Sequence, residues 1–323
     1  MNFLLTGGAG YIGSHACLAL LDAGHKVTVI DNLSTGNKAL IPKKANFIEC
    51  NINETSIITD LIQKEKFEGL LHFAGYVQVE ESVSNPEKYF NNNTKNSEIL
   101  FDTCIQNNLT NIIFSSTAAV YGDPLNDKSI TENNPLKPLS PYGESKILTE
   151  KYLQNNSKCN YIIFRYFNVA GADPKMRSGL TSKTATHLIK IASEVAVGKR
   201  EKITIFGDDY PTPDGTAIRD YIHVSDLADI HVKASEYLIN NQQSEIINCG
   251  YGKGFSVKDV LNMFNKVNDK PISIERGSRR LGDSSMLVSN VSKLHDLLKW
   301  QPKYNDLYFI IKTAIQWEKK INR

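Results

Sequence analysis
The chain has 323 residues, 41% hydrophobic and 22% charged, with 37 basic and 35 acidic side chains and a net charge of +2. That length suits one large domain or two packed ones with a sizeable core, and the near-neutral balance excludes a basic footprint for nucleic acid or an anionic membrane. The five cysteines are scattered without a C-x-x-C spacing, which predicts reduced, buried thiols and no metal site. No basic segment with a long apolar run opens the chain and no stretch approaches the ~20 apolar residues of a membrane span, so a cytoplasmic location is expected.

Residues 2–6 form a short apolar strand that runs into Gly7-Gly8-Ala9-Gly10-Tyr11-Ile12-Gly13, and residues 14–21 read as a helix. Strand, glycine turn and helix N-terminus make a phosphate cradle, because glycine lets backbone approach a pyrophosphate and the free N–H groups favour an anion. The spacing is G-x-x-G-x-x-G. The next strand, 26–30, ends in Asp31, followed by Asn32. An acid about twenty residues beyond the cradle accepts both ribose hydroxyls and repels a 2′-phosphate, so the predicted cofactor is NAD.

Further strands are expected over 47–52, 70–75 and 112–117, with a helix over 88–107 between the last two. Strands alternating with helices predict a doubly wound parallel sheet, with ligands at the carboxyl ends of its strands. His72, inside an apolar strand, reads as a satisfied core histidine. Ser140-Pro141-Tyr142-Gly143-Glu144-Ser145-Lys146 then starts a helix, with Ser140 as N-cap and Pro141 at the first helical position. Tyr142 and Lys146, four apart, share one face. A helix N-terminus and an adjacent ammonium favour phenolate over phenol, so the Tyr142 pKa is expected to fall, giving a base for an alcohol.

Thr117, Tyr142 and Lys146 behind this glycine turn resemble the extended short-chain dehydrogenase/reductases. Whole phrases narrow the resemblance: TGGAGYIGSH (6–15), HFAG (72–75), FSSTAAVYGD (114–123), SPYGESK (140–146), RYFNVAGA (165–172) and IFGDDYPTPDGTAIRDYIHVSDLAD (205–229). These look like UDP-galactose 4-epimerases and the related bacterial UDP-N-acetylglucosamine 4-epimerases, across essentially the whole chain. The resemblance implies that Gly7, Gly10, Tyr11 and Ile12 bind the NAD pyrophosphate, and Asp31 and Asn32 the adenosine ribose. It places Asn51 and Ile52 at the adenine, Phe73, Ala74, Gly75 and Asn92 along the cofactor, Lys146 and Tyr142 at the nicotinamide ribose, and Phe167 at the nicotinamide. Two positions depart from the family: Asn51 replaces a usual Asp, and Val77 stands where a lysine is common.

For the substrate, the resemblance implies Thr117, Tyr142 and Asn168 at the sugar, and His187, Leu188, Thr204, Ile205 and Phe206 at the nucleotide. Arg219, Arg280 and Asp283 complete that set, with two guanidiniums gripping the pyrophosphate. Leu287 replaces a tyrosine of the galactose-restricted enzymes, leaving room for an acetamido group and predicting action on both UDP-hexoses and UDP-N-acetylhexosamines.

The expected architecture is α/β: a Rossmann domain over 1–170, completed by about 217–250, and a smaller mixed α/β substrate lobe over 171–216 and 251–323. Residues 222–224 and 246–249 are both expected to complete the large sheet. The family also implies a homodimer through the 88–107 and 146–154 helices. The expected reaction is an NAD-dependent 4-epimerisation through a 4-keto sugar, catalysed by Tyr142, Lys146 and Thr117. The alternatives are a ketoreductase exchanging NAD(H) with solution and a non-catalytic NAD-sensing module. A 4,6-dehydratase needs an Asp-Glu pair after the threonine, and Ala118-Ala119 stand there.

Overall fold
The computed structural model describes residues 1–123, 129–182, 186–268, 270–280 and 283–322. Its strands are β1 (Asn2–Thr6), β2 (Lys26–Asp31), β3 (Asn46–Glu49), β4 (Gly69–His72), β5 (Asn111–Thr117), β6 (Asn160–Tyr166), β7 (Asn168–Ala170), β8 (Ile203–Phe206), β9 (Ile218–His223), β10 (Glu245–Cys249), β11 (Gly254–Ser256), β12 (Ile274–Gly277) and β13 (Met286–Leu287). The α-helices are α1 (Tyr11–Asp22), α2 (Thr55–Glu65), α3 (Val79–Ser84), α4 (Pro86–Tyr89), α5 (Asn96–Gln106), α6 (Pro141–Gln154), α7 (Leu188–Ala196), α8 (Val224–Asn241), α9 (Val257–Val267), α10 (Ser292–Leu298) and α11 (Leu307–Ile321). Among the described residues no helix is long and apolar enough to cross a membrane.

Two compact units divide the chain: residues 1–120, 140–165 and 228–247, and residues 121–139, 166–227 and 248–323. The first is built on a seven-stranded sheet of order β10-β6-β5-β4-β1-β2-β3. β1 pairs in parallel with β2 and β4, and its register sets Thr6 level with Ile30 and His72. Gly7, Asp31 and Phe73 therefore stand side by side at its carboxyl edge. The buried middles of β1, β4 and β5 are consecutive apolar residues (Phe3-Leu4-Leu5, Leu70-Leu71 and Ile112-Ile113-Phe114), the pattern of parallel strands covered on both faces. Leu4, Leu70, Ile112 and Phe114 pack there with Phe101 and Leu100 of α5 and Ile58 of α2.

The second unit carries two small sheets, β11-β9-β13 with β7 also on β9, and the parallel pair β8–β12. Its core joins Ile189 and Ala192 of α7, Val260 and Phe264 of α9, and Ile310, Ile311 and Ile315 of α11.

Three local expectations are corrected. The large sheet is completed by β10 but not by residues 222–224: Ile222 and His223 end β9, which pairs with β11, β13 and β7, and Val224 opens α8. A short buried apolar run reads alike in either sheet, so periodicity does not assign it. The 88–107 helix is instead α4, a π-helical turn over Phe90–Lys95, and α5. The ladder of β3 stops at Glu49, leaving Cys50, Asn51 and Ile52 to turn away from the sheet. All five cysteines are free and buried, as expected.

His72 is fully buried, with Thr6 Oγ1 2.6 Å from one ring nitrogen and Ser97 Oγ 2.8 Å from the other. Burial, and secondarily the Lys146 charge, lower its pKa to about 3. The unfolded chain takes up this proton below pH 6.5 whereas the folded chain does so only near 3, so stability falls as the pH drops through that window. Urea unfolding at pH 7 and pH 5 should therefore show His72 withdrawing about 2 kcal/mol. A His72→Asn chain should lack that share of the loss; equal slopes for the two chains would refute the assignment.

Candidate active site
The glycine turn is dictated by crowding. Gly7 has φ +74°, and a Cβ there would lie 2.5 Å from the Ala74 nitrogen. A Cβ on Gly13 would lie 2.2 Å from the Gly7 carbonyl oxygen. Only glycine at both positions lets β1, the start of α1 and the segment after β4 meet so closely. Helix α1 begins after Gly10 without a side-chain cap among the described residues, so its first N–H groups suit an anion.

An open groove follows from this turn within the first unit. Gly7, Gly10, Asp31, Asn32, Asn51, Ile52, Phe73, Ala74, Gly75 and Asn92 line it, together with Ser34, Thr35, Gly36, Cys50, Tyr76 and Asn96. Tyr11 and Ile12 occupy the first two positions of α1 beside it. Asp31 is buried, and its carboxylate accepts from the Ala9 nitrogen at 3.0 Å and the Leu33 nitrogen at 2.8 Å. Burial nonetheless raises its pKa. Asn32 Nδ2 donates to Asn51 Oδ1 at 2.6 Å, tying together the two residues expected at ribose and adenine. A cradle that any Cβ would fill, an uncapped helix start and an acid at the end of β2 fit a dinucleotide with a free 2′-hydroxyl.

The candidate catalytic residues stand in the same unit. Ser140 Oγ caps α6 by accepting from the Gly143 nitrogen at 3.2 Å, and Pro141 takes the first helical position. Such a cap contributes about 1 kcal/mol, and it fixes where Tyr142 begins its turn. Thr117, the last residue of β5, presents its hydroxyl to the Tyr142 side chain and favours its ionised form. Lys146 is 3% exposed; its Nζ donates to the Ser115 carbonyl at 2.8 Å and lies 4.9 Å from the Phe114 ring centre. Burial lowers its pKa to about 8, with Glu150 acting in the opposite sense.

The pKa of Tyr142 runs against expectation: burial raises it, and the neighbouring Thr117 hydroxyl offsets this only in part. Removing the ring from water penalises the phenolate more than its place in the first helical turn favours it. Phenol is the resting form.

Sequence reasoning missed the support around these residues. The Asn93 amide clamps Tyr76, accepting from its nitrogen at 2.8 Å and donating to its carbonyl at 2.9 Å. The π turn also presents the Asn93 carbonyl to Ser97 Oγ at 2.7 Å and Thr149 Oγ1 at 2.9 Å, and Thr94 Oγ1 donates to the Ser145 carbonyl at 3.0 Å. The π turn thus ties the groove-lining loop to α6. A run of three asparagines early in the 88–107 segment was the available signal.

In the second unit, β13 pairs with β9 so that Leu287 stands opposite Arg219. The Arg219 guanidinium donates to Asp283 Oδ1 at 2.5 Å and to the Ser284 carbonyl at 2.7 Å. The Arg280 guanidinium lies 3.9 Å over the Phe206 ring, at the end of β8. Ile205 is buried, and Thr204 Oγ1 donates to Glu275 at 2.7 Å. Asn168 opens β7, Phe167 is buried just before it, and His187 and Leu188 stand at the start of α7 with His187 exposed. Arg219, Asp283 and Leu287 are thereby gathered on neighbouring segments, and Arg280 with Phe206.

The sequence profile of the NAD dependent epimerase/dehydratase family matches residues 3–250. The chain belongs to that family. Within the family it is 43% identical to a UDP-glucose 4-epimerase of Azospirillum brasilense over 323 residues, covering 99% of this chain and 92% of that protein. The fold superposes with a TM-score of 0.96 and 32% identity on a UDP-glucose-4-epimerase from Stenotrophomonas maltophila with bound NAD and formylated UDP-arabinopyranose, covering 100% and 99% of the two chains. The UDP-Glc/GlcNAc 4-epimerase of Campylobacter jejuni is another solved relative, at 44% identity and a TM-score of 0.85, covering 99% of each chain.

Proposed function
We propose that the chain is an NAD-dependent UDP-hexose 4-epimerase that interconverts UDP-glucose and UDP-galactose and also UDP-GlcNAc and UDP-GalNAc. The observation that carries this reading is Tyr142, beside Thr117 and one turn before the buried Lys146 on α6, in the unit that holds the dinucleotide groove. Full-length similarity to UDP-glucose 4-epimerases supports the hexose reaction, and the Campylobacter jejuni relative together with Leu287 supports the N-acetylated pair.

Gly7, Gly10, Tyr11, Ile12, Asp31 and Asn32 are assigned to hold the cofactor, with Asn51, Ile52, Phe73, Ala74, Gly75, Asn92 and Phe167 along it. Bound NAD supplies a hydride acceptor and donor for sugar C4. Tyr142 takes the O4 proton, directly or through Thr117, and later returns it. Because burial favours the phenol, this base depends on positive charge, and Lys146 supplies it. Arg219 and Arg280 hold the diphosphate, with Asp283, Thr204, Ile205, Phe206, His187 and Leu188 around the nucleotide and Asn168 at the sugar. Tethered only through UDP, the 4-keto sugar can turn its other face for hydride return. The residue pair after Thr117 is Ala118-Ala119, which offers no acid or base for a 4,6-elimination.

The test is to incubate purified protein, without added NAD, with UDP-galactose and separately with UDP-GalNAc, and to quantify each 4-epimer. Both should be converted with no net NADH turnover. Stoichiometric NADH consumption would instead identify a ketoreductase. No turnover even with NAD supplied would leave a sensing module. Gel filtration tests the accompanying proposal of a homodimer through the 88–107 and 146–154 segments.

A further inference from the structure
We propose that Glu150 is a positioning residue of this reaction, supplying the buried counter-charge to Lys146 and locking the strand that holds Thr117. The proposal rests on the epimerase reading and adds to it a residue that does not touch substrate.

Tyr142, Lys146 and Glu150 follow each other at four-residue steps along one face of α6, and all three are buried, at 9%, 3% and 0% exposure. Glu150 accepts Arg165 Nη2 at 2.7 Å, Arg165 Nε at 3.1 Å and Ser116 Oγ at 2.5 Å. Arg165 is itself 2% exposed. A buried carboxylate–guanidinium pair is poor evidence of a stabilising role, since a well-packed apolar pair of like volume would serve stability as well or better. What distinguishes this pair is its place. Ser116 sits in β5 between Ser115, whose carbonyl receives Lys146, and Thr117, whose hydroxyl acts on Tyr142. Holding the Ser116 side chain fixes the segment that presents both partners.

Charge points the same way. Lys146 faces the Phe114 ring and Ser115 carbonyl on β5, neutral His72 on β4, and Tyr142 and Glu150 on its own helix, with Arg165 of β6 behind Glu150. Among these described groups Glu150 brings the negative charge. Burial alone already lowers the Lys146 pKa, and Glu150 works against that. Without the carboxylate, two buried cations would share the region, and Lys146 would lose its proton at lower pH.

The experiment compares wild type with Glu150→Gln. The alkaline limit of kcat should move down by one pH unit or more, with KM for UDP-galactose changed less than about twofold. In cofactor-free protein carrying [13Cε]lysine, the Lys146 signal, assigned by its loss in Lys146→Met, should titrate at correspondingly lower pH. Should the single variant fail to fold, Glu150→Gln/Arg165→Met removes both buried charges and should move the two readouts in the same direction by a smaller amount. An unchanged alkaline limit and an unchanged lysine titration in a folded variant would overturn the proposal. If wild type itself proves inactive, the epimerase reading fails, and the lysine titration still decides the part played by Glu150.

Discussion

A Tyr142→Phe chain should lose epimerisation by about 10²- to 10⁴-fold in kcat, the range general acid–base groups contribute, while still binding NAD and UDP. The substitution removes one hydroxyl from a ring that is 9% exposed and keeps the ring's packing, including its edge contact with Tyr89 at 6.3 Å between centres. It removes the polar partner of the Thr117 hydroxyl, and loss of one such partner, about 1 kcal/mol, is too little to unfold the chain. Thermal unfolding should therefore shift by only a few degrees, so the activity loss can be assigned to proton transfer. Thr117→Val tests the relay. It leaves the phenol in place but removes the hydroxyl that favours the phenolate, so it should cost less than Tyr142→Phe and should raise the pH at which kcat reaches its plateau. Activity within tenfold of wild type in Tyr142→Phe would remove Tyr142 from the mechanism.

The parts of this centre that could be read in the sequence are those whose chemistry is set by spacing along the chain. The glycine spacing at 7, 10 and 13, the acid ending the next strand, and the Ser140-Pro141 start of α6 are patterns along the chain that local rules describe, although the crowding that demands Gly7 comes from Ala74 after β4. Where distant segments decide the outcome, local reading failed. The strand at 218–223 carries the same apolar signature as a large-sheet strand, yet β11, β13 and β7 occupy both of its edges. The Tyr142 pKa rises because segments remote in sequence enclose the ring, an effect its helical position does not reveal. Glu150 was visible four residues after Lys146, but its partner Arg165 lies beyond the next turn on β6 and Ser116 lies on β5. The π turn at Phe90–Lys95 is marked in the sequence only by its run of three asparagines, which does not by itself specify a π turn. It is held by side chains from α5 and α6, through the bonds from Ser97 and Thr149 to Asn93.

Leu287→Tyr should lower kcat/KM for UDP-GalNAc by about 10²-fold while leaving UDP-galactose within a few-fold, because a pocket wall excludes a larger substrate sharply but rejects a smaller one only weakly. The position suits such a change. Leu287 is half-buried on the two-residue strand β13, and its backbone is held against Arg219 of β9. A larger side chain can extend from it without entering a closed core, where overpacking would cost about 1–3 kcal/mol. The acetamido group of UDP-GalNAc is the only difference between the two substrates, and both are measured on one protein. Any general effect of the substitution on folding, cofactor retention or the grip of Arg219 on the diphosphate lowers both rates together and cancels in their ratio. The ratio therefore reports only the space beside the sugar 2-position. If it stays where it is in the wild type, the acetamido group lies elsewhere and the breadth of substrate use must be set by other residues.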